Sequence, residues 1–200
     1  MSPWLLLLVS YLLGAVPTSY LVARAVRGID LRQHGSGNLG ATNAYRVLGW
    51  KAATPIFVID IAKGWFPVAF FPLWDGVTGW GWQLAYGAAA IVGHVFSIYV
   101  GLKGGKGVAT GAGVFLALAP HAVLAGLVVW GALLFATGYV SVASIAAAIV
   151  LPLVILGAQG AGPVLYLALA LSAFVIYAHR ANIGRLRRGE EHRFRRKARI

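Results

Sequence analysis

Long apolar runs separated by short polar segments make up most of the chain. Runs at 3–23, 52–73 and 80–100 each reach the roughly 20 residues that a bilayer-spanning helix needs. Between 107 and 179 there is no Asp, Glu, Lys or Arg at all. Pro120-His121, Thr137-Gly138 and Gly157-Ala-Gln-Gly-Ala-Gly-Pro163 punctuate that stretch and divide it into 108–119, 120–136, 139–157 and 162–179. The first of these pieces is short for a crossing, so length alone leaves two, three or four crossings open there. Hydrocarbon offers no partner to backbone groups, so the spans are expected to be helices.

Composition agrees. Of 200 residues, 60% are hydrophobic and 11% charged, whereas a soluble domain carries about 25% charged residues. The same numbers exclude a disordered chain. The expected class is an all-α integral membrane protein forming a single domain over 1–200. With no cysteine there is no disulfide framework or thiol chemistry. The first apolar run lacks a basic leader and a small-residue cleavage site, and reads as a retained helix.

The net charge of +12 sets orientation. Basic residues cluster at 24–51, 103–106 and 180–199, between or after apolar runs, as in cytoplasmic loops. The N-terminus, with no charged side chain before the first helix, then lies outside and the tail inside. An even number of crossings must fall between 107 and 179. Two would need helices of about 36 residues, too long for a bilayer. Four fit, which makes seven in all. The basic tail, 185–200, suits anionic lipid headgroups, and no stacking platform or reader motif points to nucleic acid.

Three polar segments fall on the same expected face. One runs from Arg32 to Arg46, with Ser36, Asn38, Thr42 and Asn43 as neutral hydrogen-bonding groups among glycines. Arg46 is suited to clamp a phosphate, although a polar linker with helix caps would look the same. Another is Gly93-His94 followed by Gly101-Leu-Lys-Gly-Gly-Lys-Gly-Val-Ala-Thr110. Here Gly104, Gly105 and Gly107 surround Lys106 just before an expected helix start, which suits an anion. The nucleotide P-loop spacing fails, because Val100 stands where its first glycine belongs. The last is His179-Arg-Ala-Asn-Ile-Gly-Arg185, with His179 and Asn182 on one helical face. His94 and His121 are weaker candidates, and no cluster has metal-ligand spacing. Asp60 and Lys63, three apart inside the second run, are expected to neutralise one another; a substrate contact by Lys63 is the rival reading.

These residues resemble the small bacterial membrane glycerol-3-phosphate acyltransferases that use acyl phosphate as donor. The likeness rests on Ser36-Gly-Asn-Leu-Gly-Ala-Thr-Asn43, on Gly93-His94 with Lys103-Gly-Gly-Lys-Gly-Val-Ala-Thr110, and on His179-Arg-Ala-Asn-Ile-Gly-Arg-Leu-Arg-Arg-Gly-Glu-Glu191. Asp60-Ile-Ala-Lys-Gly64 fits as well. One departure is that Ser97 and Gly101 stand where the family often has Pro and Phe. The resemblance implies seven helices, an outside N-terminus and a cytoplasmic active site in the bacterial inner membrane. It implies transfer of an acyl group from a long-chain acyl phosphate to the sn-1 hydroxyl of glycerol 3-phosphate, giving lysophosphatidic acid and phosphate, the first acylation of phospholipid synthesis.

By the same resemblance, Lys103, Gly104, Gly105, Lys106, Gly107 and Thr110 hold the donor phosphate. Ser36, Asn38, Thr42, Arg46, Asn182 and Arg185 hold glycerol 3-phosphate, and Ser36 and His179 sit nearest the chemistry. Asp60, Lys63 and Glu191 are structural. No cofactor or metal is expected, and the expected state is a monomer among membrane lipids. Either His179 or a substrate phosphate takes the hydroxyl proton. The absence of a carboxylate to orient His179 favours the phosphate, and a covalent acyl-Ser36 intermediate is disfavoured because the donor is already activated. The rival class is a transporter for phosphate or an organic phosphate, which should show internal repeats and a midplane site.

Overall fold

The computed structural model describes residues 1–77 and 79–194; the end of the expected tail, 195–200, lies outside the described residues. Every regular element among them is helical. The α-helices are α1 (Pro3–Ala15), α2 (Thr18–Arg27), α3 (Ala41–Leu48), α4 (Trp50–Asp75), α5 (Trp80–Val95), α6 (Val108–Leu118), α7 (Pro120–Thr137), α8 (Val140–Gln159), α9 (Pro163–Ala178) and α10 (Arg180–Arg187). Single 3-10 turns occupy Leu31–Gln33 and Ile98–Val100. Five segments are long and apolar enough to cross a bilayer: Pro3–Arg27, α4, Trp80–Val100, α7 and α8. The pair α9 and α10, bent by 50°, makes a sixth if counted as one span, and α6 is a shorter apolar helix.

The first run is not the single helix expected over 3–23. It breaks at Val16-Pro17, where Val16 adopts φ −53° and ψ 114°. Proline disfavours the helical region for the residue before it and brings no N–H of its own.

The helices form two compact units, Met1–Leu118 and Ala119–Ile200. In the first, glycines let backbones touch. A Cβ on Gly14 of α1 would collide with the Ala90 carbonyl of α5, and one on Gly93 of α5 would collide with the Tyr11 carbonyl of α1. Gly64 of α4 and Gly113 of α6 meet Thr110 and Ile61 in the same way. Small residues at such crossings are what membrane helices need, because lipid gives no hydrophobic incentive to associate. At 26 residues, α4 is about 39 Å long, and its two ends carry different cores. Near its start Ala53 and Ile56 pack with Leu31, Leu39, Ala44 and Val100. Near its end Phe71 packs with Leu6 and Tyr86, and Tyr86 Oη donates to Asp75 at 2.5 Å.

In the second unit α7 and α8 form a hairpin through Gly138 and Tyr139. Gly138 takes the left-handed conformation at φ 73° that ends α7. Trp130 of α7 donates to Ser144 of α8 at 3.2 Å. Beyond α10 the chain returns to this hairpin: Phe194 N donates to Gly138 O at 2.6 Å, and Arg193 Nε donates to Tyr139 Oη at 3.0 Å.

Prolines inside helices leave carbonyls without their usual partner four residues on. Pro72 frees Val68 O, which accepts from Gln83 Nε2 at 3.1 Å. Pro152 in α8 frees Ala148 O, which accepts from Ser172 Oγ of α9. At the Pro17 break, Ala15 O accepts from Ser97 Oγ at 2.5 Å and Val16 O from Lys63 Nζ at 2.9 Å.

Candidate functional site

The segment after α2 is shaped by side chains bonding to backbone. Asp30 caps the 3-10 turn, accepting from Arg32 N at 3.0 Å, and pairs with the Arg32 guanidinium at 2.7 Å. The hydrogen bonds from Arg32 hold the Asp30 carboxyl down at about 2, from an ordinary value of 3.8. Arg32 also donates through Nη1 to Val100 O at 3.2 Å, which ties this segment to the turn after α5.

Asn43 is the hub of the loop. It is 1% exposed. Its Oδ1 accepts from Ser36 N at 2.8 Å, and its Nδ2 donates to His34 O at 3.0 Å and Leu31 O at 3.4 Å. Gly35 sits directly over this amide with φ 62°, where a Cβ would strike Asn43 Oδ1. Asn43 therefore faces inward from α3. Thr42 and Arg46, four apart on that helix, share another face. Ser36 and Arg46 are exposed, and Asn38 and Thr42 half-buried.

The glycine-rich loop folds back onto the end of α5. Gly104 N donates to Val95 O at 2.9 Å and Gly105 N to His94 O at 3.0 Å. Two of the loop's amides are thus spent within the protein. A Cβ on Gly105 would collide with His94 Nε2 and lie 2.7 Å from Leu39 O, so only glycine fits between the imidazole and the 36–43 segment. Two of the three expected motifs therefore adjoin, backbone to backbone, within the first unit. Gly107, with φ 78°, leads into α6 and accepts from Gly111 N at 2.7 Å. Lys103 is exposed and Lys106 half-buried. Thr110 is fully buried, and its Oγ1 has no hydrogen-bond partner among the described residues.

Beneath the loop lies a buried polar cluster. Asp60 and Lys63 pair at 2.7 Å, with side chains only 3% and 7% exposed. Asp60 Oδ1 also accepts from Thr18 Oγ1 at 3.1 Å, and His94 Nδ1 stands 3.9 Å from the same oxygen. The i, i+3 spacing foretold the pair. That it braces a helix break and faces His94 was not legible, because both partners lie far away in the chain.

In the second unit His179 ends α9, buried, with Nδ1 donating to Val175 O at 2.8 Å. A backbone carbonyl thus supplies the orientation expected of a missing carboxylate, and makes Nε2 the unprotonated nitrogen of the neutral ring. Asn182 Nδ2 donates to Glu191 Oε1 at 2.6 Å and Arg185 Nε to Oε2 at 2.7 Å. Burial works against ionisation of Glu191, but the hydrogen bonds from Asn182 and Arg185, together with the Ser141 hydroxyl and the Arg185 charge, outweigh it and hold the carboxyl below its ordinary value. Gly189, at φ 70°, turns the chain so that Glu191 reaches back to α10. Among the described residues no group of His, Asp and Glu could hold a metal ion. Sequence reasoning missed Asn43 as the anchor of the loop, and Arg32 and Ser97 as ties to other segments. Its only signal for Asn43 was an amide two residues into a helix behind a glycine turn.

A bundle of apolar helices, with glycine-rich polar segments gathered at one end of its first unit, defines an integral membrane protein. The family profile described as "Glycerol-3-phosphate acyltransferase" matches residues 4–189. A glycerol-3-phosphate acyltransferase of Desulforudis audaxviator (strain MP104C) is 48% identical over 188 residues, covering 92% of each chain. The crystal structure of PlsY (YgiH), an integral membrane glycerol 3-phosphate acyltransferase, in its glycerol 3-phosphate form aligns with TM-score 0.90 at 39% identity over 96% of both chains. Its lysophosphatidic acid form aligns with TM-score 0.85 at 37% identity, over 96% of this chain and 94% of that one. The chain belongs to the glycerol-3-phosphate acyltransferase family and is an acyltransferase.

Proposed function

We propose that the protein moves a fatty acyl group from a long-chain acyl phosphate to the sn-1 hydroxyl of glycerol 3-phosphate. The hydroxyl oxygen attacks the acyl carbonyl, the bond to the phosphate oxygen breaks, and lysophosphatidic acid and inorganic phosphate leave. The observation that carries this reading is the junction of the Ser36–Asn43 segment with the Gly104–Gly107 loop, where Leu39 O meets Gly105, in a chain of this family. An acyl phosphate is an activated mixed anhydride, so the chain's task is to bring two anions together and shield their charge. Cations and oriented amides do this without a strong acid.

In this reading Lys103, Lys106 and the first turn of α6, with Gly104, Gly105, Gly107 and Thr110 shaping the space, hold the donor phosphate. Because Gly104 and Gly105 spend their amides on α5, Lys106 and the start of α6 carry most of the electrostatic load. Ser36, Asn38, Thr42 and Arg46 hold glycerol 3-phosphate. The family resemblance adds Asn182 and Arg185, which Glu191 orients. His179 Nε2 is set up as a hydrogen-bond acceptor, so it either takes the hydroxyl proton or orients the hydroxyl while a substrate phosphate takes it.

The whole chain is taken as one catalytic domain with seven crossings, α6 included, an outside N-terminus, a cytoplasmic site and tail, and residence in the inner membrane as a monomer. The contact of Phe194 with Gly138 supports this, since the scheme puts the α7–α8 turn and the tail on one side. So does the tie from Arg32 to Val100, which joins two segments assigned to the cytoplasmic side.

The test is purified protein with palmitoyl phosphate and glycerol 3-phosphate, following phosphate release and lysophosphatidic acid. Both should appear in equal amounts, and Lys106→Ala and Arg46→Ala should each cost at least about tenfold in kcat/KM. No lysophosphatidic acid, together with phosphate flux into liposomes, would replace the enzyme reading with a transporter.

A further inference from the structure

We infer that the buried Asp60–Lys63 pair and His94 form a positioning device for the backbone of the Gly104–Gly107 loop. The inference rests on the reading of that loop as the holder of the donor phosphate.

Burying an ion pair costs desolvation of both charges, and a neutral pair of similar size is often no less stable. Val16 O already accepts from Thr18 N at 3.0 Å, and if Lys63 served only as a second donor to it, a hydroxyl or amide would do. The same fold uses neutral donors for that task at Ala15 O (Ser97) and at Val68 O (Gln83). What distinguishes the pair is its neighbour. Asp60 Oδ1 receives Lys63 and Thr18 on one side and faces His94 Nδ1 at 3.9 Å on the other.

His94 then holds the loop twice. Its carbonyl accepts from Gly105 N at 3.0 Å, and the Nε2 edge of its ring lies against the Gly105 Cα, where no Cβ fits. The ring is buried and lies between the two, its Nδ1 3.9 Å from the carboxylate and its Nε2 against the glycine. A shift of the pair moves the ring, and a shift of the ring moves the loop. Phosphate positioning tolerates only a fraction of an ångström, and a pair braced by Val16, Thr18 and α4 is a stiff support for it.

His94→Ala should raise the KM for palmitoyl phosphate about tenfold while leaving the KM for glycerol 3-phosphate within about twofold. Hydrogen exchange at the Gly104 and Gly105 amides should speed up at least about tenfold, with α4 still protected. His94→Gln, whose terminal amide reaches the place of Nε2, should restore most of both; His94→Asn, which reaches only the place of Nδ1, should not. Single charge deletions at 60 or 63 risk misfolding, so the pair is tested as Asp60→Asn with Lys63→Gln. This double variant should show the same local exchange at 104–105.

Unchanged exchange at those amides in both His94→Ala and the double variant would overturn the inference. So would equal rises of the two KM values in His94→Ala with a lowered melting temperature and no rescue by Gln. Should the wild-type chain fail to use palmitoyl phosphate, the donor assignment falls, and the exchange experiment still decides the positioning role.

Discussion

Both units contain prolines within apolar runs and meet freed carbonyls with neutral donors, but the break at Pro17 in the first unit also draws in a charge. In the second unit the carbonyl freed by Pro152 is met by a serine hydroxyl from the neighbouring helix. In the first, the break at Pro17 is met by a serine and by a lysine, and the lysine brings its own buried carboxylate. A neutral donor satisfies a carbonyl and does no more. An ion pair adds a rigid, expensive centre to which other groups can be referred, here Thr18 and His94. Charge inside the membrane core thus appears where the glycine loop must be held, and is absent where helices only pack.

The comparison is broken most directly by deleting one charge. Lys63→Met leaves Asp60 buried and unpaired and should cost about 3–5 kcal/mol, read as a large loss of melting temperature in detergent. The neutral double variant should recover most of that. If Lys63→Met melted no lower than Ser172→Ala, the contrast would disappear. Next in size is Gly14→Ala, which pushes a methyl into the Ala90 carbonyl and should cost about 1–3 kcal/mol of overpacking; Gly131→Ala, where nothing lies within 4 Å, is the control and should be silent or slightly stabilising. Ser172→Ala, leaving a carbonyl unsatisfied, should cost roughly 1 kcal/mol.

The smallest effect is on acid stability. Glu191 has a carboxyl held below its ordinary value near 4.5, so its ionised form binds Asn182 and Arg185 better in the folded chain than in the unfolded one. That contribution is complete above the ordinary value and is lost as pH falls through the lowered one. Melting temperature should be flat from about pH 7 to pH 5 and decline below about 4.5, and Glu191→Gln should flatten part of the decline. Asp30, down at about 2, loses its link to Arg32 only in still stronger acid.

Much of this was legible without coordinates. Breaks at Pro120, Gly138 and the 157–163 segment divide the uncharged stretch where α6, α7, α8 and α9 divide it, because glycine and proline act locally. The Asp60–Lys63 pair was legible for the same reason. The Pro17 break was not, since the residues that make it tolerable, Lys63 and Ser97, stand 46 and 80 positions further on in the sequence numbering. Asn43 read as one more neutral hydrogen-bonding group or a helix cap; its inward face follows from the turn at Gly35, which no hydropathy pattern records.

The sequence by itself determined the solvent, the helical class and the family, and it supplied the candidate residues for the proposed site. Those follow from composition, period and local spacing. The tertiary structure decided which polar groups are free to meet a substrate and which are spent on the chain's own backbone. Gly104, Gly105, Asn43, Lys63 and Ser97 all fall in the second group. A hydrogen bond is directional and short, and its partner is chosen in space, so residue order alone does not tell a ligand from a brace.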